Sequence, residues 1–198
     1  MGSRLFHTSA VNAILRRAAP AALVLLVLAS CAKPIPILGD VPEFSLTDQT
    51  GRTVSKKDLA GSVWIADFIY TGCAAACPLM TQNLSAVGKE LPGVRLVSIT
   101  VDPETDTPER LKQYSDQFGA RPETWSFLTG DVETIRKTVS EGFKLSLQKA
   151  SETDIFHSEK FVLIDKQGRM RGYFDSNALG QAELKTAARR LQKETGTP

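Results

Sequence analysis

The run Val63–Tyr70, V-W-I-A-D-F-I-Y, does most to limit what this chain can become. It is β-branched and aromatic with a single acid, and its apolar positions do not alternate with polar ones. A strand with one wet face alternates, whereas this run reads as a strand buried on both faces. The sequence on either side fits that demand. From Cys77 to about Glu90, Leu79, Met80, Leu84, Val87 and Leu91 recur at helical spacing until Pro92-Gly93 stops the pattern. Val94–Val101 reads as a second strand. Asp106 or Thr107 can cap a helix with Pro108 in its first turn, continued by Leu111, Tyr114 and Phe118 to Gly119. A third short strand starts at Trp125, and Asp131 can cap a helix running towards Glu141. Phe161–Asp165 and Met170–Phe174 flank K-Q-G-R as a hairpin, and a last helix spans about Leu179 to Lys193. Phe44–Leu46 and the segment around Val54 flank D-Q-T-G-R, which predicts an N-terminal hairpin. Alternating strands and helices of this kind predict an α/β sandwich, a mixed central sheet flanked by helices.

The first thirty residues read as an address. Arg4, Arg16 and Arg17 precede the uncharged A-A-P-A-A-L-V-L-L-V-L-A-S, about the 7–15 residues of a signal-peptide core and short of the ~20 a spanning helix needs. The segment ends L-A-S-C, which resembles the lipobox of bacterial lipoproteins and makes Cys31 the lipidation candidate. The expected organisation is a signal peptide over 1–30, a lipidated cysteine and tether over 31–42, and one domain over 43–198. The tether reading rests on three prolines, one glycine and no periodic pattern in residues 32–42. Three of the 24 basic residues and none of the 22 acidic ones lie in the leader, so its removal moves the formal charge from +2 to −1. No basic patch points to nucleic acid.

With Cys31 lipidated, Cys73 and Cys77 are the only thiols of an exported domain, and His157 its only histidine. Two cysteines are no disulfide framework. They sit where a central strand gives way to a helix, the edge at which open α/β sheets place ligands. Helix-start amides favour a thiolate there and should lower its pKa. Residues at i and i+4 share a helix face, with Cβ atoms ~5–6 Å apart, so two sulfurs can converge on one soft ion such as Cu(I) or zinc. His157, just before the strand at Phe161, is an available third ligand, although a solitary histidine there is more often a surface or packed residue. The spacing C-x-x-x-C differs from the C-x-x-C of thioredoxin-type oxidoreductases, and no proline lies between Pro122 and Pro198 to serve as their substrate clamp. Use of the pair by a thiol-disulfide reductase or thiol peroxidase stands as the alternative.

The motifs D-F-I-Y-T-G-C-A-A-A-C-P-L-M, V-S-I-T-V-D-P-E-T-D-T-P-E-R-L, W-S-F-L-T-G and F-H-S-E-K-F-V-L-I-D-K-Q-G, in this order, resemble the Sco/SenC family of thioredoxin-like copper proteins. The resemblance implies a thioredoxin-like sandwich and copper ligation by Cys73, Cys77 and His157. It implies assistance to assembly of the dinuclear copper centre of cytochrome c oxidase, with that enzyme's copper-bearing subunit as partner. Another periplasmic copper chaperone or a thiol reductant is a further implied partner, and the protein would be a membrane-anchored lipoprotein facing the periplasm. Thiolates suit Cu(I); family members also bind Cu(II), and some reduce the target subunit's disulfide. Two departures stand out. Phe156 occupies the position where many members place an aspartate before the histidine, with Asp154 nearby, and the residues between the cysteines are A-A-A. Asp102 and Asp106 read as turn and capping residues, and Met80 as core filler. Asp67 interrupts the buried run and requires a hydrogen-bonding partner.

Overall fold

All six residues of Trp64–Ile69, Asp67 included, are buried in a central strand, as a run without polar alternation requires. In this computed structural model the described residues are 33–74, 76–144, 148–149, 155–156 and 159–194. The chain divides into two units, Met1–Pro34 and Ile35–Pro198, and the second carries the fold.

In chain order its elements are β1 (Gly39–Asp40), β2 (Ser45–Asp48), β3 (Thr53–Ser55), α1 (Lys56–Leu59), β4 (Trp64–Ile69), α2 (Ala76–Lys89) and β5 (Arg95–Thr100). There follow α3 (Pro108–Gln117), β6 (Trp125–Thr129), α4 (Val132–Arg136) with a π-helical continuation over Lys137–Gly142, β7 (Gln148–Lys149), β8 (Ile155–Phe156), β9 (Lys160–Ile164), β10 (Arg169–Asp175) and α5 (Ala178–Lys193). One sheet has the order β1-β10-β9-β4-β5-β6-β2-β3, and β7 and β8 pair separately. β4, β5 and β6 are parallel, joined by crossovers through α2 and α3, while β9 runs antiparallel to β4. The sheet is therefore mixed, and the expected α/β sandwich is what forms.

Alternation along β4 assigns its two faces. Trp64 and Phe68 meet the ring of Phe143, which follows the π-helical segment, at centroid distances of 6.2 and 5.0 Å. Asp67 points to the opposite face, level with Ser98 of β5. Trp125 of β6 donates to the Ser98 hydroxyl (2.9 Å), and Phe127 meets Tyr114 of α3 edge to face. That second face is covered by α2, α3 and α5. Gly88 permits the close approach of α2, since a Cβ there would lie 2.6 Å from Leu96 Cδ1.

The N-terminal hairpin forms as β2 and β3, attached at the sheet edge through β2 to β6. Its turn, D-Q-T-G-R, has a structural double in D-K-Q-G-R between β9 and β10. In each the aspartate accepts from the amides two and four residues on: Thr50 (2.8 Å) and Arg52 (3.0 Å) for Asp48, Gln167 and Arg169 (both 3.0 Å) for Asp165. Each arginine closes the loop on the same carboxylate, and the glycines, Gly51 and Gly168, take φ of +80° and +77°.

Part of the segment read as a tether is bound to the fold. Leu38 N–H donates to Met170 O (2.8 Å) and Val41 N–H to Gly168 O (2.9 Å), with Val41 fully buried. A strand of two residues among prolines leaves no periodicity to read. The helix after Asp131 also differs: it is α-helical for five residues and then widens, where the sequence predicts an α-helix to Glu141.

Candidate dithiol site

β4 delivers the chain to the site. Beyond Ile69, Cys73 N–H donates to Tyr70 O (3.2 Å), closing a tight turn, and α2 begins at Ala76. Cys73 thus precedes the helix and Cys77 lies in its first turn, so the pair does not share one helical face as the i, i+4 spacing predicts. Convergence arises otherwise: Cys77 N–H donates to Cys73 Sγ at 3.3 Å. The sulfur takes the role of a capping acceptor for an amide that the helix itself leaves unsatisfied. Both cysteines are reduced thiols, Cys73 half-buried and Cys77 fully buried.

For Cys77 this burial corrects the expectation that a helix start lowers the thiol pKa. Burial pushes the Cys77 thiol well above its usual range, and only a contact with the Tyr70 backbone opposes it strongly. Desolvation dominates because this side chain is fully buried in the core. Cys73 holds the position at which an amide meets sulfur.

Beneath Cys77 lies a buried polar set. The Thr81 hydroxyl donates to Cys77 O (2.9 Å) and pairs with the Tyr114 hydroxyl (2.9 Å), whose own pKa burial raises. Asp67 is fully buried, and neither carboxylate oxygen has a hydrogen-bond partner among the described residues. Among the described residues the partner required of it is missing, and desolvation raises its pKa from 3.8 to about 7, favouring the protonated carboxyl. The Ser98 side chain, level with it on β5, opposes that rise. Thr81 and Tyr114 were visible in the sequence only as members of periodic helices.

His157 and Cys31 lie outside the described residues. Among the described residues, β8 ends at Phe156, and β9, antiparallel to β4, starts at the end of the sheet where β4 stops. Glu159 O accepts from Ser176 N–H (3.3 Å), and Ser176 O from Asn83 Nδ2 of α2 (3.0 Å). Among the described residues no three His, Cys, Asp or Glu side chains cluster as a metal site. Met80 is core, as expected. Leu79, counted with the apolar face of α2, instead stands 58% exposed beside the thiols. Thr107, not Asp106, caps α3, accepting from Arg110 N–H (3.3 Å).

A mixed sheet whose central strand ends in two thiols at a helix start defines a thioredoxin-like dithiol protein. The chain belongs to the SCO1/SenC family, whose model matches residues 40–193. It is similar to a SCO1/SenC family lipoprotein from Bacillus anthracis, at 32% identity and a TM-score of 0.75 over 82% of this chain and all of that one. BsSco, described as a member of the Sco family of cytochrome c oxidase assembly proteins with a disulfide switch, is 30% identical at a TM-score of 0.70, covering 80% and 99% of the two chains. Copper-bound ScoI of Bradyrhizobium japonicum is 30% identical, with a TM-score of 0.64 over 77% and 99%. Among the described residues no helix is long and apolar enough to cross a membrane.

Proposed function

We propose that this chain binds one copper ion through Cys73, Cys77 and His157 and passes it to the copper-bearing subunit of cytochrome c oxidase. The observation that carries the reading is the pair of sulfurs brought together by the Cys77 amide at the end of the central strand, in a family with a copper-bound member. The donor chemistry fits. Two sulfurs favour Cu(I), and a three-ligand site leaves room for an acceptor's ligands to enter as the ion leaves. His157 is the third ligand that the family resemblance implies, and the strand that follows it in sequence, β9, starts at the end of the sheet where β4 stops. The oxidase as recipient is supported by the description of BsSco. Attachment to the membrane through lipid on Cys31, facing an exported compartment, is supported by the L-A-S-C sequence and by the lipoprotein relative.

The test is an anaerobic Cu(I) titration against a competing chelator, with Cys73→Ser, Cys77→Ser and His157→Ala beside the wild type. One equivalent bound, with affinity falling about 10-fold or more in each variant, is the expected result. Failure of the reduced protein to bind copper, or indifference to His157, would sink the reading.

The half-buried and fully buried thiols favour one second use. Cys73 can attack a partner's disulfide, forming a mixed disulfide and releasing one partner thiol; Cys77 then gives up its proton and attacks Cys73 Sγ, releasing the other. Disulfide turnover that needs both cysteines and tolerates His157→Ala identifies this use.

A further inference from the structure

We infer that Asp106 is a positioning residue for the dithiol: it fixes the turn that carries Cys73, so that Cys73 Sγ stands on the Cys77 amide. The inference rests on the copper reading for its consequence, but its geometry is independent of any metal. Asp106 lies 35 residues from that turn in sequence and is fully buried. Its carboxylate accepts from Thr71 N–H (3.0 Å to one oxygen, 3.3 Å to the other) and from the Thr71 hydroxyl. It also accepts from the Thr100 hydroxyl at the end of β5 (2.6 Å).

Each donor is fixed in turn. Arg110 Nε of α3 donates to Thr71 Oγ1 (3.0 Å), which leaves that hydroxyl's proton for Asp106. Asp102 N–H donates to Thr100 Oγ1 (3.0 Å), with the same effect at the other oxygen. Asp106 N–H is held by Asp102 O (2.9 Å). The acceptor-only chemistry of a carboxylate is what three convergent donors require, and an asparagine would aim an NH2 group at one of them. Capping does not account for this burial, since Thr107 is the cap. The V-D-P-E-T-D-T-P segment thereby acts on the site through Thr71, which lies inside the turn closed by Cys73 N–H and Tyr70 O.

The experiment uses the full-length chain, reduced and copper-free, with Asp106→Asn, Asp106→Ala, Thr71→Val and Thr71→Ser. Asp48→Asn serves as control, because Asp48 is an equally buried turn aspartate in the hairpin at the sheet edge. Three readouts are taken: thermal midpoint, the rate of Cys73 alkylation at pH 7 by peptide mass mapping, and Cu(I) affinity. Loss of the clamp should slow Cys73 alkylation by about 3-fold or more, as sulfur loses its amide donor, and weaken Cu(I) binding by about 10-fold. Thr71→Ser, which keeps the hydroxyl, should stay near wild type, and Asp48→Asn should lower only the midpoint. Variants at Asp106 and Thr71 that melt earlier yet keep wild-type alkylation and affinity would overturn the inference. Should Asp106→Ala not fold, Asp106→Asn and Thr71→Val decide it by the same criteria. A wild type that binds no copper refutes the proposed function, and the alkylation rates then judge the clamp alone.

Discussion

At Asp67 the cost of burial takes the form of a retained proton. Its pKa is raised in the fold to about 7 from 3.8, so the folded state binds the extra proton between those values. Stability from this group is complete below pH 3.8, falls as pH rises towards 7, and is lost above it. Asp67→Asn keeps the shape without the charge. It should therefore match wild type near pH 4 and exceed it at pH 8 by about 2–4 kcal/mol, measured by urea denaturation at both values. Equal gaps at the two pH values would mean that Asp67 is ionised throughout. Asp48 and Asp165 slope the other way. Burial raises their pKa values, but hydrogen bonds outweigh it and leave both lowered: the Thr50 hydroxyl, backbone amides and Arg52 at Asp48, and backbone amides with Arg169 and Arg171 at Asp165. Their contribution is present above the unfolded value of 3.8 and lost as acid protonates them, so the comparison with Asp67→Asn must be made as a difference.

Among the elements, α5 shows how tightly a helix can be set against a strand end. Asn177 caps it by accepting from Gly180 N–H (2.9 Å), and a Cβ at Gly180 would lie 2.2 Å from the Asp175 carbonyl oxygen of β10. Alanine usually strengthens a helix; Gly180→Ala should instead cost about 1–3 kcal/mol, seen as a lower thermal midpoint. The sequence revealed that a helix covers this region, because Leu184, Ala188 and Leu191 recur with its period, but the contact with Asp175 leaves no periodic trace. The same division holds at the site. Cys73 and Cys77 were legible as a pair at a strand-helix junction, since the apolar run, the cysteine spacing and the helical period after them are all local. The Asp106 clamp was not, because it joins residues far apart in sequence, and the local reading as a cap was satisfied by its neighbour Thr107. The widened turns of Lys137–Gly142 were equally hidden: what they achieve is the seating of Phe143 under β4, a tertiary outcome.

For the molecule as a whole, Arg171 ties the two ends of the described chain together. It is 5% exposed, and its guanidinium donates to Asp165 (2.9 Å), Glu194 (3.2 Å), Pro36 O (3.2 Å) and Ile35 O (2.7 Å). Arg171→Ala takes one of two arginines from Asp165, which keeps Arg169 and two amides, and removes this donor from the Ile35 and Pro36 carbonyls; it should cost about 1–3 kcal/mol. Limited proteolysis should then cut residues 35–41 faster than in wild type. Unchanged cleavage would mean that β1 alone holds this segment.

That anchorage also gives the molecule two poles. Arg171 gathers Ile35 beside the Asp165 turn, which caps the sheet at the end where β4 begins, while Cys73 and Cys77 crown the end where β4 stops, six residues on, about 20 Å away. Within Ile35–Pro198 the chain therefore enters at one end of the sheet and presents its thiols at the other, so whatever docks on Cys73 and Cys77 meets the end of the sheet remote from Ile35.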